Sequence, residues 1–310
     1  MDERTKISIM TLGNNLIKKF NENLKINVNL SNYSWFNLGG SAEYFYKAKD
    51  KNQLIEFLYE AKRKKLKTTI LGAGSNILFR DKGVKGVVIK LGNDFSYSNL
   101  FEKNIVVAGA ATLDRKVANF AKENSLENLE FLSCIPGSIG GAVIMNSGCY
   151  EHDISKVLLS VQAIDKNNLS EIEIKKEDIK FSYRGTNLPE DLIIISAKFQ
   201  CSIGKKEEIE KKQSDFIKKK KLSQPSQIKT CGSTFKNVSK KIKAWMLIKQ
   251  SGCENYKEGD AIISEKHCNF FVNNGNAKAS DIEKLIKKVK KKVHEKTGVN
   301  LELEIKIIGD

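Results

Sequence analysis

The spacing of apolar residues predicts alternating strands and helices in the first part of the chain. One segment, residues 51–66, has its apolar residues at helical spacing: Leu54, Phe57, Leu58 and Ala61. The same patterns predict helices at NNLIKKFNENL and TLDRKVANFAKEN, with Thr112 as N-cap of the latter, and strands at AEYFYKAK, KTTIL, GVVIKL and NIVVAGAA. Such alternation is typical of an α/β fold.

The pattern changes after residue 150. Three strands are predicted at VLLSVQAID, LSEIEIKK and LIIISAKFQ, and their turn-like connections predict that they are antiparallel neighbours. A lysine-rich helix at 205–222 then leads into a second module, with a helix at KAWMLIKQSG and a strand at CNFFVNN. A long helix at 280–297 has one apolar stripe and Gly298 as its C-cap, the stripe being Ile282, Leu285, Ile286, Val289 and Val293. The fold class is therefore α/β (α+β).

The closing segment VNLELEIKIIGD alternates like a strand. Its apolar residues point one way, which places Glu302, Glu304 and Lys306 together on the opposite face. Charged faces of strands usually meet water, so this pattern by itself predicts only an exposed face.

Composition limits the classes of function. The formal charge is +16, but only five of the 53 basic residues are arginine, the side chain on which base-reading proteins rely, so we expect no nucleic-acid partner. No apolar run is long enough to span a bilayer and no secretory signal opens the chain, so we expect a cytoplasmic protein without membrane contact. The six cysteines form no C-x-x-C pair, which signals neither a metal site nor a disulfide framework.

Two glycine-rich turns follow apolar segments, LGAGSN at 71–76 and CIPGSIGGAVIMNSGCY at 134–150. Consecutive N–H groups in such turns bind anions, although each turn alone could simply be tight. A Rossmann fingerprint would need a third glycine where Ile77 stands, which disfavours the standard dinucleotide fold.

These two turns resemble the FAD-binding domain of the PCMH-type flavoproteins. The later segments FSYRGTNLP, CGSTFKN, AWMLIKQSGC, ISEKHCNFFVNNGNA and LELEIKIIG follow in the order and spacing of one family, the UDP-N-acetylenolpyruvoylglucosamine reductases (MurB). The resemblance runs from about residue 30 to the end. It implies a PCMH-type FAD-binding domain of two subdomains at 1–202 and a smaller α+β substrate-binding domain at 203–310, with the last strand packing back toward the first domain.

The resemblance implies non-covalent FAD, because the Gly-His motif of covalent flavin oxidases is absent and His152, the nearby histidine, is expected on the surface. The implied cofactor-binding residues are Gly72, Gly74, Ser75, Asn76, Pro136, Gly137, Ser138, Gly140, Gly141, Ala142, Asn146 and Gly148.

The family reaction is reduction of UDP-N-acetylglucosamine enolpyruvate to UDP-N-acetylmuramate in peptidoglycan precursor synthesis, with NADPH recharging the flavin. By resemblance, Arg184 binds the substrate carboxylate, Ser233 donates a proton, and Glu304 is the catalytic acid. We expect burial to raise the pKa of Glu304 and Glu302 to stay solvated.

Other residues are implied more loosely. Tyr183, Lys236 and Asn237 belong to the substrate wall by resemblance, and Lys218 and Lys221 either assist there or form a solvated helix face. His267 is part of the family signature without an assignable role. Val238 and Glu151 replace a usual proline and glycine, and the short stretch after Tyr183 matches the type II branch.

Two alternatives stay open. A different PCMH-type oxidase would share the flavin loops without needing both Ser233 and Glu304. A lysine-rich nucleic-acid binder would be colourless and would bind with a steep salt dependence. We expect a monomer that binds a UDP-sugar and NADPH.

Overall fold

The structure is a computed structural model that describes residues 16–310. The predicted helix at 14–24 begins outside the described residues, and residues 16–19 are helical. Further helices are α1 Lys51–Arg63, α2 Asp114–Glu123, α3 Ile139–Ile144, α4 Ile154–Val157, α5 Lys206–Ser223, α6 Ala244–Gln250 and α7 Ala279–Thr297. The strands are β1 Leu24–Asn29, β2 Ser41–Ala48, β3 Thr68–Leu71, β4 Ile77–Phe79, β5 Val84–Leu91, β6 Ser98–Glu102, β7 Ile105–Gly109, β8 Leu126–Glu127, β9 Gly148–Cys149, β10 His152–Asp153, β11 Leu158–Asp165, β12 Glu171–Lys175, β13 Phe181–Ser182, β14 Gly185–Thr186, β15 Leu192–Gln200, β16 Ser202–Ile203, β17 Lys257–Glu258, β18 Ala261–Ile263, β19 Phe271–Asn273 and β20 Lys306–Ile308.

Two sheets form the first part of the molecule. One has the order β1-β2-β5-β3, with β5 parallel to both β2 and β3, and the other is the antiparallel sheet β12-β11-β15-β7-β6. A continuous apolar core lies between them and includes Val87 of β5, Val161 of β11 and Ile194 of β15. The α/β alternation and the antiparallel strands after residue 150 are thus both confirmed.

A third sheet and two helices form the C-terminal part. The antiparallel sheet β17-β18-β19 packs with α6 and α7 around a second apolar core. All five residues of the predicted α7 stripe are buried there: Ile282, Leu285, Ile286, Val289 and Val293. Gly298 ends α7 with a φ of 69°, a left-handed conformation that glycine adopts without strain.

The start of α2 differs from the prediction. The helix begins at Asp114 with Leu113 as N-cap, and the Thr112 hydroxyl instead donates to the Tyr97 carbonyl at 2.8 Å. Thr112 is therefore occupied by a contact to a distant segment, which the local pattern does not reveal.

The closing segment returns to the first part of the molecule. β20 pairs in parallel with β4, and Leu303 bridges to Phe235. The chain bends at residues 304 and 305 before β20 begins, so the predicted shared face of Glu302 and Glu304 is wrong. The Glu302 side chain is 78% exposed and that of Glu304 only 16%, because the bend breaks the alternation.

Within residues 16–310, no helix has the length and apolar character needed to cross a membrane. All six cysteines are free, and all except Cys149 are buried.

Candidate active site

A cavity of about 1400 Å³ lies where the two glycine-rich turns, the β13–β14 hairpin and the closing segment meet. Its volume exceeds the roughly 300–1,000 Å³ of ordinary small-molecule sites, so it has room for more than one ligand. Fourteen of the predicted site residues line it: Gly72, Gly74, Ser75, Asn76, Pro136, Gly137, Ser138, Gly140, Gly141, Ala142, Gly148, Arg184, Ser233 and Glu304.

The first glycine-rich turn presents unpaired backbone donors. None of the N–H groups of residues 72–76 donates to an atom of the described chain. Gly74 has a φ of 72°, and a Cβ added there would lie 1.8 Å from the Tyr33 carbonyl oxygen, so only glycine fits. All five residues line the cavity, and a run of free N–H groups in such a turn is suited to a phosphate group.

A half-buried lysine of the cavity lining contacts this turn. Lys90 Nζ donates to the Gly72 carbonyl at 2.7 Å. Burial, and secondarily the charge of Lys47, lowers the pKa of Lys90 from its ordinary value. An ammonium group therefore lies next to the predicted phosphate site.

The second glycine-rich turn is fixed to the loop between β7 and α2. Ile139 N donates to Thr112 O at 3.0 Å and Gly140 N to Ala110 O at 2.9 Å. The two turns touch, since a Cβ added to Gly72 would lie 2.9 Å from Ser138 Oγ. That hydroxyl is buried and has no partner in the described chain. Free N–H groups and an unpaired hydroxyl on one wall fit the diphosphate of FAD.

Asn146 does not line the cavity. Its Nδ2 donates to the Ser182 carbonyl at 3.1 Å, and its Oδ1 accepts from Ser155 N at 3.0 Å. The side chain thus ties the flavin turn to the hairpin that carries Arg184, although it was predicted to contact the cofactor.

Arg184 lies at the tip of the β13–β14 hairpin, with a left-handed φ of 61°. Its Nε donates to Glu304 Oε1 at 2.7 Å and its Nη2 to the Gly148 carbonyl at 2.9 Å. Burial alone would lower the pKa of Arg184, but the Glu304 carboxylate raises it above the ordinary value. Its Nη1 donates to no described residue, so the guanidinium keeps a free donor.

Glu304 is held by its backbone on two sides. Asn76 Nδ2 donates to its carbonyl at 2.9 Å, and its N–H donates to Thr234 O at 2.9 Å. Burial raises the pKa of Glu304 and outweighs the opposing charges of Arg184 and Lys236. The first glycine-rich turn and the predicted acid therefore share a fixed geometry, and the acid holds its proton more tightly than an exposed glutamate.

Ser233 follows Gly232, whose φ is 80°, and pairs with Phe270 through an isolated bridge. The next residues run antiparallel to the closing segment, with Lys236 N donating to Glu302 O at 2.8 Å. The half-buried Ser233 hydroxyl has no hydrogen-bond partner within the part of the chain that the structure describes. Arg184, Ser233 and Glu304 thus come from three separate segments to one cavity.

The three residues predicted for the substrate wall lie beside the cavity and not in its lining. Asn237 Nδ2 donates to Tyr183 Oη at 3.0 Å, and Lys236 Nζ lies 3.8 Å from Glu302 Oε2. The guanidinium of Arg184 is 5.1 Å from the Tyr183 ring centre. These contacts connect Tyr183 to both Arg184 and the Ser233 segment.

Sequence reasoning missed Lys220. Lys218 and Lys221 are exposed, whereas Lys220 lines the cavity and its Nζ donates to the Cys134 carbonyl at 2.5 Å. Burial lowers the pKa of Lys220. The helical period of α5 predicts this position. Gln213 and Phe216 are buried on one face of α5, and Lys220 lies on the same face four residues after Phe216.

The two histidines singled out in the sequence have packing positions. His267 Nδ1 accepts from Asn269 N at 3.2 Å, and its ring lies 4.8 Å from that of Phe270. His152, expected on the surface, is half-buried beside Phe131 and Phe216 because α5 covers it. Burial lowers the pKa of both imidazoles.

Two family profiles match the chain. The profile described as "FAD binding domain" covers residues 42–168, and "UDP-N-acetylenolpyruvoylglucosamine reductase, C-terminal domain" covers residues 224–308. The first includes both glycine-rich turns, and the second includes Ser233 and Glu304.

Similar proteins match over nearly the full length. The UDP-N-acetylenolpyruvoylglucosamine reductase of Pelagibacter ubique is 45% identical over 94% of this chain and 98% of its own. That of Orientia tsutsugamushi is 42% identical over 94% and 97%. The crystal structure of the Thermus caldophilus enzyme (MurB) superposes with a TM-score of 0.80 at 30% identity, covering 92% of this chain and 99% of that one.

Proposed function

The chain belongs to the UDP-N-acetylenolpyruvoylglucosamine reductase family, and on that basis we propose that it reduces UDP-N-acetylglucosamine enolpyruvate to UDP-N-acetylmuramate with FAD and NADPH. This step belongs to peptidoglycan precursor synthesis. The observation that carries the proposal is the convergence of Arg184, Ser233 and Glu304 on a cavity lined by both glycine-rich turns.

The cofactor residues hold FAD without a covalent bond. The free N–H groups of residues 72–76 and the unpaired Ser138 hydroxyl would receive the diphosphate, with Lys90 bound to the Gly72 carbonyl beside them. Bound there, FAD would supply the hydride chemistry that links NADPH to the substrate alkene. We assign Asn146 to fixing the turn and not to touching the cofactor.

Arg184 binds the substrate carboxylate. Its Nη1 is free to donate, and the Glu304 contact at 2.7 Å occupies only one edge of the guanidinium. As the alkene accepts a hydride, negative charge grows on the adjacent carbon and the carboxylate, where a fixed guanidinium stabilises it.

Glu304 acts as a neutral acid in the substrate complex. Burial already raises its pKa, and Arg184 opposes that shift. When the substrate carboxylate engages Arg184, it brings a second negative charge to the site and raises the pKa of Glu304 further. The protonated carboxyl then donates a hydrogen bond to the charge that forms on the substrate.

Ser233 supplies the proton that completes the reduction. Ser233 lines the cavity, and its hydroxyl has no competing partner among the described residues. A serine hydroxyl is a weak acid, so it transfers a proton only when it lies close to a strongly basic carbon, and water returns the proton afterwards.

The surface that receives the sugar diphosphate is completed by residues that adjoin Arg184 and Ser233 or line the cavity: Tyr183, Lys236, Asn237 and Lys220.

We further propose a division into domains at 1–202 and 203–310, a monomer, a cytoplasmic location and no nucleic-acid partner. Light scattering and a filter-binding assay at low salt test the monomer and the nucleic-acid prediction.

The two half-reactions test the function. NADPH added to the yellow holoprotein without oxygen should bleach the flavin, and the enolpyruvyl UDP-sugar should restore the colour with one product per flavin. Rapid recovery with oxygen alone, and none with the UDP-sugar, would favour a different flavin oxidase. A colourless protein with salt-sensitive binding to nucleic acid would favour the other alternative.

A further inference from the structure

A buried acid lies directly behind the second glycine-rich turn. Asp114 is the first residue of α2 and its side chain is 0% exposed. A Cβ added to Gly137 would lie 2.4 Å from Asp114 Oδ2, and Asp114 N donates to Gly137 O at 3.1 Å. The carboxyl group therefore touches the turn to which we assign the FAD diphosphate.

Neither carboxyl oxygen has a hydrogen-bond partner in the described chain. Acids at helix N-termini usually accept backbone N–H groups, and Asp114 accepts none. Burial is the sole cause that raises the pKa of Asp114 well above its ordinary value. The charged or titratable side chains of the surrounding elements, none of which contributes to that shift, are Glu102, Arg115, Lys116, Lys122, Glu123, Glu127, Glu130, Cys134, Lys206, Glu210, Lys212 and Lys220.

Two half-buried lysines of α5 that could supply a counter-charge are already engaged elsewhere. Lys212 is paired with Glu130 at 3.1 Å, and Lys220 donates to the Cys134 carbonyl. Arg115 and Lys116 are exposed. An ionised carboxylate at this position would thus be desolvated and unpaired, which is strongly unfavourable.

An anion in the turn makes ionisation less favourable still. A diphosphate against Gly137 and Ser138 would repel an ionised carboxylate of Asp114, which touches Gly137. The conflict disappears when Asp114 carries a proton.

We propose that Asp114 is a positioning residue whose protonated form binds FAD more tightly than its ionised form, so that loading of the cofactor is coupled to one proton on this carboxyl group. This inference rests on the proposed FAD site. It predicts a pH-dependent affinity in a region that touches neither the substrate nor the reacting atoms.

The sign follows from the two charges. Bound FAD raises the pKa of Asp114 above its value in the free protein. The affinity for FAD is therefore greatest when the pH lies below the pKa that Asp114 has in the free protein. The FAD dissociation constant then rises by up to tenfold per pH unit until the pH passes the raised value in the complex. Neutral substitutions at Asp114 remove this slope.

The experiment is titration of the apoprotein with FAD, followed by flavin fluorescence, between about pH 5 and pH 9. The wild type should lose affinity as the pH rises, whereas Asp114→Asn and Asp114→Ala should show a smaller slope and bind more tightly than wild type at the alkaline end. Asp94→Asn, which neutralises an exposed acid of the same part of the molecule, should keep the wild-type slope.

A second measurement counts the protons. Calorimetry of FAD binding in buffers with different ionisation enthalpies should show proton uptake by the wild type in the pH range where the affinity falls, and less uptake by Asp114→Asn. Equal slopes in wild type and Asp114→Asn, or absence of proton uptake, would overturn the role of Asp114. A protein that binds no FAD at any pH would contradict the proposed function instead.

Discussion

The cofactor side and the catalytic side of the cavity are built in opposite ways. On the cofactor side, two short runs of consecutive residues offer mainly backbone N–H groups, as in residues 72–76. On the catalytic side, Arg184, Ser233 and Glu304 offer side chains from segments separated by about fifty residues or more. A local turn is sufficient for the first side, whereas the second requires the whole fold.

The difference determines what each side tolerates. A site made of backbone groups depends on the path of the chain. That path requires glycine at a position such as Gly74, where the φ is left-handed and a Cβ has no room. A side-chain site depends on chemical groups, and the backbone bonds of Glu304 to Asn76 and Thr234 keep those groups in register. Substitutions should therefore impair cofactor affinity on one side and the reaction rate on the other.

The largest effect should come from Glu304→Gln. The amide can still donate a hydrogen bond, but it is far less acidic than a neutral carboxyl and stabilises the growing charge less, so we expect flavin reoxidation by substrate to slow about 10²–10⁴-fold. Bleaching by NADPH should stay normal. In wild type the reoxidation rate should fall as the pH rises through the raised pKa of Glu304, and the variant should lose that limb.

Glu302→Gln is the matched control, since this exposed acid lies two residues away. Its rates and pH profile should equal those of the wild type. A Glu304→Gln enzyme with normal reoxidation would show that Glu304 has only a structural role. The side chains of the catalytic side would then not determine the reaction rate as proposed.

Ser233→Ala should give the next largest effect, about 10²–10³-fold on reoxidation, because it removes the proton donor but leaves the charge-stabilising pair. FAD affinity should not change. Ser233→Thr restores a hydroxyl and should recover part of the rate, and in deuterated water the wild type should show a solvent isotope effect that Ser233→Ala alters. A rate indifferent to the hydroxyl would assign proton transfer to another group.

Much of this architecture was predictable, and the exceptions have physical causes. The α7 stripe and both glycine-rich turns are local patterns, and each lies where the spacing predicted. The exposure of Glu302 and burial of Glu304 depend on a bend at residues 304 and 305, and that bend depends on pairing with Phe235 and β4. Such long-range contacts leave no periodic signal in the segment itself.

The polar groups Lys90 and Asp114, which contact the glycine-rich turns, were harder to predict. Lys90 lies in a strand between apolar residues, and Asp114 stands at a helix start where acids are usually solvated. Only the packed structure shows that each touches a glycine-rich turn. Lys220 differs, because its position follows from the period of α5.

On the cofactor side, Gly74→Ala should have the largest effect. The added methyl group would collide with Tyr33 O, so the turn must move, and we expect FAD affinity to fall by about 10–100-fold, in line with about 1–3 kcal/mol of strain. Gly252→Ala is the control, since Gly252 has a similar φ of 70° with nothing within 4 Å of the added atom. It should lower the melting temperature without changing FAD affinity. Equal affinities in both variants would mean that the path of residues 72–76 does not define the site.

The smallest effect should come from Lys90→Met, which keeps the apolar stem and removes the ammonium group. We expect the FAD dissociation constant to rise about three- to tenfold, because the charge acts on the diphosphate through the Gly72 peptide and does not define the path of the turn.

Lys47→Met is the control. Lys47 is exposed, and it lies beside Lys90 in the sheet register and lowers the pKa of Lys90. Loss of the Lys47 charge should therefore leave the affinity for FAD unchanged or slightly improve it. Since the pKa of Lys90 is lowered, deprotonation of its ammonium group should add to the alkaline decline of wild-type affinity that Asp114 causes. Lys90→Met should lose this added part and keep the part that depends on Asp114. A loss as large as that of Gly74→Ala would show that a side chain governs the cofactor side too, and the contrast between the two sides would then be one of degree.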